Sequence, residues 1–238
     1  MRHHWHHMIS IRDYHPDRDR TDPHEGLSPI LLTLIHEEAS PHGRLIEIGC
    51  GAGRLTRAVA PRFHEVIALD WSEAALAKAR VAVAQDGVAN VHFHLADAEQ
   101  IDYQALAEGP VPLVVAHLCM SNAIIAQAAR LGPGTLLAFA AFHTDQWHET
   151  GVISRFAYSE AAVEEALAKS GFHPRYLGLE KDVLRFPSPE VAIAYLKQTG
   201  LEARWRSSDR WGGFLRFLEN GGNSLTVRAR VVVKARLD

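Results

Sequence analysis

Leu45-Ile46-Glu47-Ile48-Gly49-Cys50-Gly51-Ala52-Gly53, followed by Arg54, is the stretch on which the reading of this chain turns. Residues 44–48 are short and mostly apolar, which predicts a buried strand. Three glycines at alternate positions then permit a tight turn and a close approach of a ligand to the backbone. A helix expected from Arg54 adds free N–H groups and a partial positive charge at the same place. The spacing is G-x-G-x-G, and arginine stands at position 54, where a dinucleotide loop of the G-x-G-x-x-G type needs its third glycine. Glu47, two residues ahead of Gly49, suits a ligand that carries an ammonium group rather than a pyrophosphate. Asp70 closes the next expected strand 17 residues after Gly53, where a carboxylate accepts both hydroxyls of a ribose.

Working outward, strand and helix alternate. Ser28 and Pro29 start a helix with Ile30, Leu31, Leu34 and Ile35 on one face. Helices are expected at 54–63, from the Ser72 cap to 85, at 122–131, after Ser159, and from Ser188-Pro189 to 199. Strands are expected at 44–48, 66–69, 91–95, 111–118, 135–142 and 175–179. Residues 200–224, with Gly212, Gly213, Gly221 and Gly222, read as irregular. At the end Val227, Ala229, Val231 and Val233 alternate with Arg228, Arg230 and Lys234, the pattern of a half-buried antiparallel strand. The repeat of βαβ units predicts a doubly wound α/β sheet. The division that follows is a mobile arm at 1–26, a ligand-binding α/β domain at 27–181, a lid over a second ligand site at 182–224, and a last strand at 225–238.

Composition narrows the classes further. Of 238 residues, 47% are hydrophobic and 22% charged, which excludes a wholly disordered chain. The net charge of −3 argues against a general nucleic-acid binder. No apolar run reaches the roughly 18 residues of a membrane span. Cys50 and Cys119 form no paired motif, so neither a disulfide framework nor a structural metal site is expected. With no apolar leader at the N-terminus, the expected location is cytoplasmic. Six of the 15 histidines lie at positions 3, 4, 6, 7, 15 and 24 and are read as part of the mobile arm.

Glu47-Ile48-Gly49-Cys50-Gly51-Ala52-Gly53 resembles the first motif of class I S-adenosylmethionine-dependent methyltransferases. Asp70 matches that family's acidic ribose ligand. Ala96-Asp97-Ala98 is similar to the segment that holds adenine, 114–118 to the motif bordering the transferable methyl, and Leu131-Gly132-Pro133-Gly134 to the turn before the fifth strand. The resemblance covers about residues 27–180. It implies a Rossmann-like sheet of seven strands with the last antiparallel, and S-adenosyl-L-methionine as cofactor. Glu47, Gly49, Cys50, Gly51 and Gly53 would hold the methionine moiety, Asp70 the ribose, Trp71 the adenine face, and Asp97 and Ala98 the adenine edge. His117 would border the methyl.

Transfer from a sulfonium is an in-line displacement, so the protein mainly orients the partners and excludes water. A base is needed only for a protonated acceptor. His117 and His143, the latter near Asp145, are the candidates. The sequence lacks the proline-rich fourth motif of amino-methylating nucleic-acid enzymes and the Pro-Cys nucleophile of pyrimidine C5 enzymes. Between Arg185 and Leu218, six cations (Arg185, Lys197, Arg204, Arg206, Arg210, Arg216) face three carboxylates, with Trp205, Trp211, Phe214 and Phe217 interleaved. This predicts a small acceptor that is acidic or carries a carboxylate. The order of this segment and the last strand is similar to the C-terminal part of the malonyl-carrier-protein O-methyltransferases of biotin synthesis. The alternatives are a tRNA methyltransferase and a non-catalytic cofactor-binding protein. No stable nucleic-acid complex and no membrane partner are expected, and a homodimer is compatible with the sequence.

Overall fold

The computed structural model describes residues 4–21, 26–106 and 109–238. His3 and His24 of the histidine-rich segment lie outside them. The elements in chain order are β1 (His6–Asp13), α1 (Pro29–His36), β2 (Arg44–Ile48), α2 (Arg54–Val59), β3 (Glu65–Asp70), α3 (Glu73–Gln85), β4 (Val91–Leu95), β5 (Leu113–His117), α4 (Asn122–Ala129), β6 (Leu136–Phe142), α5 (Glu160–Lys169), β7 (Phe172–Arg185), α6 (Pro189–Gln198), α7 (Leu201–Arg206), α8 (Arg210–Glu219) and β8 (Ser224–Leu237).

Serine sets most of the helix starts. Ser28, Ser72, Ser121, Ser159 and Ser188 each accept, through the side chain, the amide three residues on. Each bond satisfies one of the donors that a helix N-terminus leaves without an intrahelical partner.

The strands form one sheet in the order β1-β7-β8-β6-β5-β2-β3-β4. β8 runs antiparallel to both β6 and β7, and the other pairings are parallel. Both faces are covered. Ile46 and Ile48 share one core with Ile124, Ile125, Val163 and Leu167, from α4 and α5. Leu45, on the opposite face, packs with Leu31, Ile35, Leu55 and Leu76 from α1, α2 and α3. Two-sided burial explains the near-continuous apolar reading of the parallel strands. Among the described residues no helix is long and apolar enough to cross a membrane.

Two local expectations need correction. The sheet has eight strands rather than seven, because residues 6–13, assigned to a mobile arm, pair in parallel with β7 from His6↔Gly178 to Asp13↔Arg185. An edge strand needs only backbone pairing on one side, so its polar sequence carried no alternating signal, and Ile9 and Ile11 remain half exposed. Residues 200–224 are not irregular but hold α7 and α8. The glycines there serve a contact: a Cβ on Gly213 would lie 1.8 Å from the Thr150 carbonyl oxygen. Gly213 thus lets α8 settle on the turn His148–Thr150. Around that contact Trp147, Phe186, Tyr195, Trp205 and Phe214 form a third core.

Candidate functional site

β2 lies beside β3 on one flank and β5 on the other, and the chain winds away from this pair in opposite directions. In open α/β sheets such a reversal leaves a crevice at the carboxyl ends of the strands. There the protein has a cavity of about 910 Å³, lined by Gly49, Asp70, Trp71, Asp97, Ala98 and Leu118, by 119–124, by 155–158 and by Ala162, Glu165, Ala166 and Lys169 of α5.

The glycine turn builds the near wall. Gly49, Gly51 and Gly53 all adopt left-handed backbone. At Gly49, with φ +64°, a Cβ would meet the Cys119 Sγ at 2.4 Å, so the position excludes any side chain. The turn is fastened to the next strand by Asp70: its Oδ2 accepts the Gly51 amide at 2.8 Å and its Oδ1 the Ser72 amide at 2.9 Å. One carboxylate therefore fixes both the glycine turn and the start of α3. Trp71 beside it is 84% exposed, an unusual place for a large ring unless it meets a partner.

Glu47 lies below the turn and is buried, and its Oε2 has no hydrogen-bond partner. Burial pushes its carboxyl up to about 7 from an ordinary 4.5; Thr56 beside it opposes the shift and the Asp70 charge adds a smaller push. Cys50 is also buried, and burial together with the Glu47 and Asp70 charges drives its thiol far up, which makes it a packing group rather than a nucleophile. Asp97 caps its own loop, accepting the Glu99 amide at 3.0 Å and the Gln100 side chain at 2.7 Å. The Ala98 carbonyl takes the Tyr103 hydroxyl at 2.7 Å.

Of the residues expected from sequence, Gly49, Asp70, Trp71, Asp97 and Ala98 come together on the cavity wall. Glu47, Cys50, Gly51 and Gly53 belong to the strand and turn behind it. His117 and His143 do not line the cavity. His117 ends β5, one residue before cavity-lining Leu118, and the fully buried Arg230 places Nη1 3.3 Å from its Nε2. His143 is buried, its Nδ1 accepts the Asp145 amide at 3.1 Å, and burial lowers its pKa. Asp145 is in turn paired with Lys181 at 2.7 Å.

The segment 182–224 supplies no lining residue. Two of its arginines are engaged locally. Arg206 bonds Glu202 and lies 4.8 Å from the Trp211 ring centre, and Arg210 lies 5.7 Å from that of Trp147. The far wall comes instead from 155–158 and α5, which sequence reasoning missed. Tyr158, buried, donates its hydroxyl to Asn122 Oδ1 at 2.8 Å and so ties that wall to the start of α4. Leu118, the last residue of the 114–118 segment, is a non-glycine residue at φ +61°, a conformation the sequence did not announce. Backbone strain of this kind concentrates at ligand sites and leaves no mark in side-chain pattern.

Residues 45–131 match a family model described as a methyltransferase domain. Among curated proteins, the ubiquinone biosynthesis O-methyltransferase of Aromatoleum aromaticum is 28% identical over 185 residues, covering 76% of this chain and 73% of that enzyme. Its namesake in Hahella chejuensis is 30% identical over 50% of this chain and 51% of its own length. Among solved structures, YcgJ from Bacillus subtilis superposes with a TM-score of 0.66 at 14% identity, covering 89% of this chain and all of that one. At such low identity the likeness shows the fold.

Proposed function

We propose that the chain is a class I S-adenosylmethionine-dependent methyltransferase, a reading that the methyltransferase-domain match over residues 45–131 supports, and that it methylates a small acidic acceptor in the cavity at the carboxyl edge of the sheet. The observation that carries this reading is the convergence of Gly49, Asp70, Trp71 and Asp97, from the ends of β2, β3 and β4, on one cavity wall. The cofactor supplies a methyl group already activated on a sulfonium, so the chain needs no nucleophile of its own.

The residues fit that cofactor. A buried carboxylate oxygen with no partner, Glu47 Oε2, suits the ammonium of an amino-acid moiety. Gly49, on the cavity wall, meets that moiety with main chain alone. Asp70 uses one lone pair of each oxygen on an amide and keeps the others for ribose hydroxyls. Trp71 offers an exposed ring face to adenine, and the loop at Asp97 and Ala98 offers polar atoms to its edge.

The curated relatives are named for O-methylation, which supports an oxygen as the accepting atom. A hydroxyl acceptor must lose a proton, but His117 turns its Nε2 to the Arg230 guanidinium, which can only donate, so the ring lone pair is already engaged and His117 is not assigned to receive it. The Asp145 amide occupies the Nδ1 lone pair of His143, which fixes that ring as a neutral positioning group. A tRNA substrate is disfavoured because Arg206 and Arg210, needed for a phosphate track, are held by Glu202, Trp211 and Trp147.

Calorimetry with S-adenosylmethionine, S-adenosylhomocysteine and NAD tests the cofactor reading. Binding of one molecule of either sulfur compound per chain, with no heat from NAD, is expected. Absence of binding by both overturns it. A screen of hydroxylated acids with methyl-labelled cofactor then tests transfer.

A further inference from the structure

Asp70, Trp71 and Asp97, at the ends of β3 and β4, mark one end of the cavity, and 155–158, the start of α4 and one face of α5 wall its far end. Four carboxylates, Asp70, Asp97, Glu99 and Glu165, are among the described lining residues. Asp70 and Asp97 are bound to amides or an amide side chain. Glu165 and Lys169 pair at 2.5 Å. Among the described lining residues, Arg155 is the one cation with no carboxylate partner. Its guanidinium lies 4.5 Å from the ring centre of Phe156, which is itself 49% exposed. Ile153, two residues earlier, is 61% exposed. An arginine laid on an exposed ring, without an acid to hold it, presents a planar fork beside an apolar face.

We infer that Arg155 and Phe156 form the acceptor subsite and select a flat, aromatic acceptor that carries a carboxylate. The ring stacks on Phe156 and the apolar wall, and the carboxylate takes the guanidinium in a bidentate pair. The inference deepens the reading above and rests on it, since the cofactor must occupy the Asp70–Asp97 end for the far end to remain free. It also moves the acid-reading function from Arg204, Arg206 and Arg210 to a single residue on another loop.

The test is equilibrium binding to the full chain saturated with S-adenosylhomocysteine. The probes are hydroxybenzoates and hydroxycinnamates, each beside its primary amide, which keeps shape and hydroxyls but removes the charge. The acids should bind at least tenfold tighter than the amides. Arg155→Ala should erase the difference, Arg155→Lys should retain part of it, and neither should change S-adenosylhomocysteine affinity or the melting temperature. Equal binding of acids and amides, an acid preference that survives in Arg155→Ala, or no binding of any probe to the loaded protein overturns the subsite. Failure of the wild type to bind S-adenosylhomocysteine instead overturns the cofactor reading beneath it. Direct binding keeps the two failures apart.

Discussion

The Asp70 side chain accepts the Gly51 amide at 2.8 Å, so the residue proposed to clasp a ribose also holds the glycine turn in shape. The two roles are separable. Asp70→Asn keeps one acceptor oxygen but loses the charge. It should weaken S-adenosylhomocysteine binding by about 1.5–3 kcal/mol, the range for hydrogen bonds to a charged group. Calorimetry reads the affinity and thermal unfolding reads the turn. A drop in melting temperature with unchanged affinity would leave Asp70 as a fastener alone.

Glu47 makes stability depend on pH. Its folded pKa is raised to about 7 from 4.5, so between these values the native state binds more protons than the unfolded one. That contribution is complete below the unfolded value and is lost as pH rises through 7, to a total of about 3 kcal/mol. Glu47→Gln should therefore gain stability over wild type by about that amount at pH 8 and show no such gain at pH 4.5, in urea unfolding. Cofactor affinity should move the opposite way: the wild type should weaken about tenfold per pH unit below 7 as the carboxylate is protonated, and the variant should not follow. A pH-independent stability difference would show that Glu47 titrates like a surface glutamate.

Trp71 is 84% exposed and contributes little to the core. Trp71→Ala should leave the melting temperature within a degree or two while reducing cofactor affinity by roughly 1–3 kcal/mol, the scale of base–aromatic stacking. Quenching of its fluorescence on titration with S-adenosylhomocysteine is the companion measurement. Full affinity in the alanine variant excludes the stacked arrangement.

Gly213 has the Thr150 carbonyl oxygen 1.8 Å from where a Cβ would stand. Gly213→Ala must push α8 off its turn, at a cost of about 3 kcal/mol. An exposed glycine in a helix would gain stability from the same change, so chemical unfolding decides between the two environments by sign. Since α8 contributes no cavity residue, cofactor affinity should hold as long as the chain is folded.

The sequence alone determined the parallel sheet, its crossover helices and the near wall of the site, because these depend on local chemistry. Apolar runs require burial, serine satisfies the amides of the helix behind it, and alternate glycines bend backbone in the same way whatever surrounds them. Gly49, Asp70 and Asp97 could be placed on that wall because strand ends and the loops after them are close neighbours in chain order. Tertiary structure decided the rest. That β1 adds an eighth strand depended on β7, more than 160 residues away, offering it an edge. That α8 settles on the turn His148–Thr150 depended on Gly213 meeting Thr150. The far wall, Arg155 to Tyr158 against α5, follows only from how the helices pack, since no local pattern records which of many arginines will end up without an acid.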